Sequence, residues 1–261
     1  MTTDSVISAD FRYDAAHGSI LGSRKEQQDA LFLDVGEADV FAVVCDGMGG
    51  LADGHQASEM AIQTLIKLYR QKDRAESFHQ FFTNAVDQLD EAVYLLSKNG
   101  GSGKRSGTTI VSAAVEKDQL HWFSVGDSRL YLIRDEEIVC ATRDHNYFLL
   151  MDNLLQTGRM SREDYEQEKH RGEALISFLG IGGIDIIDVS TSPFRLQADD
   201  VILLMSDGLY RNVSEAEMLA AARETDGAEE MVRMLIDLSV RNAQGIQDNT
   251  TLIVIRCKEF T

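Results

Sequence analysis

The chain has 261 residues, enough for one large domain or two small ones, and its 44% hydrophobic and 26% charged residues are the balance of a soluble globular protein. Its 43 acidic residues against 25 Lys and Arg give a formal charge of −18, which repels nucleic acid and anionic lipid; "KDR" and "GKR" are too short to override it. No run approaches the roughly 18 apolar residues of a membrane span, and the single Pro, at position 193, leaves no Pro-rich linker.

The opening "MTTDSVISADF" has neither a basic start nor an apolar run, so no signal peptide is expected and the expected location is the cytoplasm. "FRYDAAHGSI", "DALFLDV" and "DVFAVVCD" read as strands. Two helices follow: "HQASEMAIQTLIKLYRQ" sets Ala57, Ala61, Leu65 and Leu68 at three-to-four spacing, and "ESFHQFFTNAVDQLDEAVYLLSK" repeats the period with Phe78, Phe82, Ala85 and Leu89. "KNGGSGKRSG" reads as a surface loop. It is not a phosphate-binding loop, because Gly103-Lys104 is followed by Arg105 and Lys98 stands where the upstream glycine belongs.

Strands resume with "SGTTIVSAAVE", "QLHWFSVGD", "SRLYLIR" and "EIVCAT". A helical and irregular segment covers about 144–183, before strands at "IDIIDVSTSPF" and "DVILLMSD", helices over 214–223 and 227–242, and a last strand, "NTTLIVIRC". The order lacks a regular βα alternation. It predicts an α+β fold, a β-sandwich of two mainly antiparallel sheets flanked by helices. Cys45, Cys140 and Cys257 are odd in number, far apart and set among apolar residues, so buried reduced thiols are expected.

The apolar strands share a feature at their ends. "FAVVCDG" exits into Asp46, "HWFSVGD" into Asp127 and "VILLMSDG" into Asp207, while "DNTTLIVI" begins at Asp248 and "DALFL" at Asp29. In an antiparallel sheet such exits and entrances share an edge, so the five carboxylates are expected at one rim. Gathered there, they repel one another unless cations intervene. An all-oxygen donor set, without a His or Cys cluster, suits Mg2+ or Mn2+. Gly47, Gly49 and Gly50 are expected to let the backbone approach such ions. A single Asp-Gly is an ordinary turn; the recurrence is the signal.

"SRKEQQDA", "VVCDGMGG", "SGTT", "SVGDSRLYLIR", "RDHN", "LMSDGL" and "QDNTTLIVI" follow in the order of the PPM family, which the chain resembles from about residue 12 to 256. These are the metal-dependent type-2C serine/threonine protein phosphatases, and "DGMGG" resembles the bacterial branch. The resemblance implies a single phosphatase domain over 1–261, with a flap at about 144–183 beside the active site. It implies two Mn2+ or Mg2+ ions bridged by Asp46, with the Gly47 carbonyl on one of them and Asp207 and Asp248 completing the set. Asp29 would act through metal-bound water, Asp127 would share a weaker third ion with Asp207, and Arg24 would grip the substrate phosphate.

The implied reaction is hydrolysis of phosphoserine or phosphothreonine by a metal-activated water. The implied partners are phosphorylated proteins, a serine/threonine kinase or its target among them, and the expected state is a monomer. Two departures stand out. Gln27 replaces the usual Asn of the first motif, and Met48 stands where many members place a histidine. His55 and His145 read as a helix-start and a structural residue. Two alternatives share the fold: an inactive regulatory or binding module, and a hydrolase of small phosphoesters.

Overall fold

The computed structural model describes residues 11–37, 39–49, 53–99 and 106–259. The expectations for Gly50, for most of the "KNGGSGKRSG" loop and for the stretch before residue 11 lie outside them. Two antiparallel sheets face each other. The first has the order β1 (Phe11–Ile20), β12 (Thr250–Glu259), β11 (Val201–Met205), β7 (Arg129–Arg134), β8 (Glu137–Cys140). The second has the order β10 (Phe194–Arg195), β6 (Gln119–Val125), β5 (Ile110–Glu116), β3 (Asp39–Met48), β2 (Asp29–Val35), with β4 (Gly107–Thr108) beside β3 and β9 (Asp188–Val189) beside β6.

Central strands read as unbroken apolar runs because both of their faces are buried. In β3, Phe41, Val43 and Cys45 pack towards α1 (Asp53–Gln71) and α2 (Phe78–Asn99). The alternate residues Val40, Ala42 and Val44 join Ile202 and Leu204 of β11 and Ile253 and Ile255 of β12 in the core between the sheets. The other faces of β11 and β12, with Leu203, Met205, Leu252 and Val254, pack on Met218 and Ala221 of α6 (Glu215–Glu224) and Met231 and Leu235 of α7 (Ala228–Asn242). The result is four layers, helices–sheet–sheet–helices, in which each fully buried Leu or Ile contributes about 1.5–3 kcal/mol. The first described strand is fixed by the full register of β1 on β12, from Phe11 opposite Glu259 to Ile20 opposite Thr250.

The helix periods in the sequence correspond to buried faces: Ala57, Ala61 and Leu65 in α1, and Phe78, Phe82, Ala85, Leu89 and Val93 in α2. α6 opens with a reciprocal cap between Ser214 and Glu217. Several expectations are corrected. "IDIIDVSTSPF" supplies just the two short strands β9 and β10, because its residues run along the edge of β6 with few ladder partners. "SGTTIVSAAVE" breaks at Thr109, whose amide and hydroxyl both turn to the Asp46 backbone. "MSDGLY" ends β11 and enters a one-turn helix, α5 (Asp207–Tyr210). All three cysteines are free, but Cys140, on edge strand β8, is partly exposed. The 144–183 segment holds α3 (Tyr147–Gln156), α4 (Arg162–Glu168) and a 3-10 turn, Lys169–Arg171. Among the described residues no helix is long and apolar enough to cross a membrane.

Candidate active site

Side-chain alternation carries the acidic residues to the mouth between the sheets. The inner face of β3 runs through Val40, Ala42 and Val44, so its next member is Asp46. The inner face of β2 runs back through Leu33 and Leu31 to Asp29, and the two aspartates stand directly opposite in register. Ser206 and Thr251 hold the matching places on β11 and β12. The Ser206 hydroxyl, at the N-cap of α5, does not cap that helix; it crosses the sandwich and donates to Asp29 Oδ2 at 2.7 Å.

The backbone at these positions is clamped. Thr109 Oγ1 accepts from the Asp46 amide at 3.0 Å, and the Thr109 amide and Thr108 hydroxyl both donate to the Asp46 carbonyl at 2.9 Å. Gln27 Oε1 accepts from the Asp29 amide at 3.1 Å, so the longer side chain in place of Asn still fixes this turn. A Cβ at Gly47 would strike the carbonyls of Gly54 and Gln28. The glycine is therefore required by the close approach of α1 and the first loop. A Cβ at Gly208 would strike the Asn249 carbonyl, so the glycine lets α5 sit against the start of β12 and puts Asp207 beside Asp248. Asn249 itself accepts from the Gln28 amide and donates to the Leu21 carbonyl, both at 2.9 Å.

Asp127 lies in the turn after β6, which buried His145 locks. The His145 amide donates to the Gly126 carbonyl at 2.9 Å, and its Nδ1 accepts from the Gly126 amide at 3.1 Å. His145 is thus structural. His55 lies exposed in the first turn of α1.

The cluster is only partly compensated, by arginines at its flanks. Burial, with Asp207 and Asp248 nearby, pushes Asp29 from 3.8 up to about 6, against the pull of its hydroxyl partners. Burial and Asp207 and Asp144 push Asp127 up to about 6 as well. Asp46 is raised well above the carboxylate range by burial and then by Asp29, Asp207, Asp127 and Asp248. Asp207 is raised, chiefly by burial. The buried oxygen Asp29 Oδ1 has no hydrogen-bond partner. Two arginines hold the flanks. Arg24 donates to Asp248 Oδ2 at 2.5 Å, while Arg211 donates from Nε to Asp207 Oδ2 at 2.8 Å and from a terminal nitrogen to Glu173 of the 144–183 segment at 2.7 Å.

The five carboxylates therefore share one rim, yet they do not close on a point. Among the described residues no three Asp, Glu, His or Cys side chains are grouped to hold an ion by themselves. The donor chemistry nonetheless fits a hard divalent cation: all oxygen, buried, mutually repelling, with one carboxylate oxygen unpaired.

Sequence reasoning missed Arg211, Thr108 and Thr109 as supports of the site. It also missed Asp90, a buried carboxylate on α2 that accepts the amides of Gly180, Gly182 and Gly183 at 2.7, 3.3 and 2.6 Å and so pins the end of the 144–183 segment. "SGTT" signalled the threonines; nothing local signals a helix residue that binds a loop ninety residues away. Beside the rim, Ser23, Arg24, Lys25, Gln28, Gly49 and Ile246 are among the walls of a cleft of about 500 Å3.

Residues 19–243 match the family described as Protein phosphatase 2C. The chain is 32% identical over 216 residues to the serine/threonine phosphatase stp of Listeria innocua, covering 82% of each chain. Among solved structures it is similar to the PPM Ser-Thr phosphatase MsPP of Mycobacterium smegmatis in complex with cacodylate, at 30% identity and a TM-score of 0.72 over 93% of this chain and 97% of that one. It is also similar to the catalytic domain of the serine threonine protein phosphatase PstP in complex with two manganese ions, at 26% identity and a TM-score of 0.74 over 95% and 99%.

Proposed function

The chain belongs to the protein phosphatase 2C family and is a metal-dependent serine/threonine protein phosphatase, and from that premise we propose which of its residues carry the reaction. Asp46, the Gly47 carbonyl, Asp207 and Asp248 would hold two Mn2+ or Mg2+ ions, Asp29 would support them through water, and Asp127 with Asp207 would offer a weaker third position. When bound, such ions neutralise the phosphoryl oxygens and lower the pKa of water, so the chemistry they bring is direct hydrolysis without a covalent phosphoenzyme.

The chain's own residues do the rest. Thr108 and Thr109 fix the Asp46 backbone from both sides. Ser206 holds one oxygen of Asp29 and leaves the other, Oδ1, buried without a partner. That unpaired oxygen, on the residue directly opposite Asp46 in the β2–β3 register, is the observation that carries the assignment. Arg24 and Arg211 occupy Asp248 and Asp207 as built-in cations. Release of Asp248 frees the Arg24 fork for bidentate contact with a phosphoryl group. Cys45 is no nucleophile, since it is buried among the helix-side core and burial pushes its thiol up.

Residues 1–261 are read as a single phosphatase domain in which 144–183 is the flap. The substrates are phosphorylated proteins, with a kinase or its target as the proposed partner of a cytoplasmic monomer. The formal charge of −18 disfavours nucleic acid and anionic membrane. The test is hydrolysis of a phosphothreonine peptide with Mn2+ and with EDTA, beside Asp46→Asn. Turnover is expected to need both Mn2+ and Asp46, with a loss above about 100-fold in the variant; turnover that survives thorough chelation would sink the assignment.

A further inference from the structure

Ile246 is 81% exposed, well above the next large aliphatic among the described residues, Val139, at 57%. Isolated exposed apolar residues are ordinary on protein surfaces. The placement of this one is not ordinary, because it walls the same cleft as Arg24 and Lys25 and lies two positions before Asp248. Nor is it carried on a loose loop. The Ser23 amide donates to the Gln247 carbonyl at 2.8 Å, and the Gln247 amide donates to Ser23 Oγ at 3.2 Å, so the loop bearing Ile246 is zipped to the loop bearing Arg24. Gln247 is further held by its Nε2 on Thr250 Oγ1 at 2.6 Å. The loop that carries the apolar side chain is thereby tied to the loop that carries the cationic one.

We propose that Ile246 is a specificity-determining residue that receives a large aliphatic side chain adjacent to the phosphorylated residue of a protein substrate. The proposal rests on the phosphatase reading above and deepens it. A phosphoryl group drawn to Arg24 leaves the neighbouring residues of its chain over the cleft wall, where Lys25 and Glu26 offset each other's charge and Ile246 is the apolar element. An aliphatic neighbour covers Ile246 and removes both surfaces from water, whereas an alanine neighbour leaves Ile246 wet. A contact of that size discriminates by about tenfold in kcat/KM.

The experiment uses the full chain with Mn2+ and pairs of phosphothreonine peptides that differ in one residue next to the phosphothreonine, Leu or Ala, tested on each side. The wild type is expected to favour Leu on one side by about tenfold in kcat/KM, and Ile246→Ser to reduce that ratio to near one. Ile246→Leu is expected to restore it, which separates the contact from a general disturbance of the loop. Equal use of both peptides by an active wild type would overturn the proposal and leave the phosphatase reading standing. A preference for Leu that persists in Ile246→Ser would also overturn it, as would sedimentation showing a dimer of this chain that Ile246→Ser dissociates. No turnover of either peptide would overturn the reading on which the proposal rests.

Discussion

Replacing Asp29 by Asn separates what the acidic rim costs the fold from what it does for the reaction. The Asp29 carboxyl, 4% exposed, is raised from 3.8 to about 6 by burial and by its acidic neighbours. At about 1.4 kcal/mol for each tenfold change in proton affinity, its ionised form costs the metal-free fold up to about 3 kcal/mol at pH 7.5. A carboxyl raised in the folded chain contributes stability that is fully present below the unfolded value near 3.8 and is lost as pH rises through about 6. Asn carries no charge and keeps an acceptor for the Ser206 hydroxyl.

Urea unfolding in EDTA should therefore find Asp29→Asn more stable than the wild type at pH 7.5, by as much as about 3 kcal/mol, with the gain vanishing below about pH 4. Saturating Mn2+ should reverse the order, because the wild type then gains the free energy of binding an ion to the folded state. A metal-free variant that is less stable at pH 7.5, or a gain that does not change with pH, would refute the electrostatic reasoning.

Arg24→Lys keeps the charge and loses the planar fork, so kcat/KM on a phosphothreonine peptide should fall by about 10- to 100-fold; steady-state kinetics showing a lysine as good as the arginine would remove the bidentate contact. Asp90→Ala leaves the amides of Gly180, Gly182 and Gly183 without their acceptor, the first of them buried. It should cost about 3 kcal/mol in urea unfolding and open the chain near residue 180 to limited proteolysis; a loss below about 0.5 kcal/mol would mean that water serves these amides equally well.

The relatives differ in how they bear on these predictions. Similarity to stp and MsPP places the chain in its family, but the Asp90 and Arg211 contacts are features of this chain's own geometry. Arg211 joins Asp207 to Glu173, so a group on the rim and a group on the proposed flap share one guanidinium.

Much was legible in the residues alone because it was written in local periodicity. Doubly buried strands had to be continuous apolar runs, the long helices had to show a three-to-four period, and strands ending repeatedly in aspartate had to gather acid at an edge. The residues that hold the rim were mostly not legible, since their partners are distant in sequence: Ser206 with Asp29 across 177 positions, Thr109 with Asp46 across 63, Asp90 with Gly180 across 90. Likewise "IDIIDVSTSPF" had the composition of a strand and found almost no ladder to join, because pairing depends on what lies alongside. Sequence by itself determined the layered sandwich, the acidic rim and the cation chemistry that its oxygen donors suit. Tertiary structure alone decided that Ser206 meets Asp29, that Arg24 meets Asp248 and which oxygen is left unpaired, because those contacts join residues that only the pairing and packing of distant strands bring together.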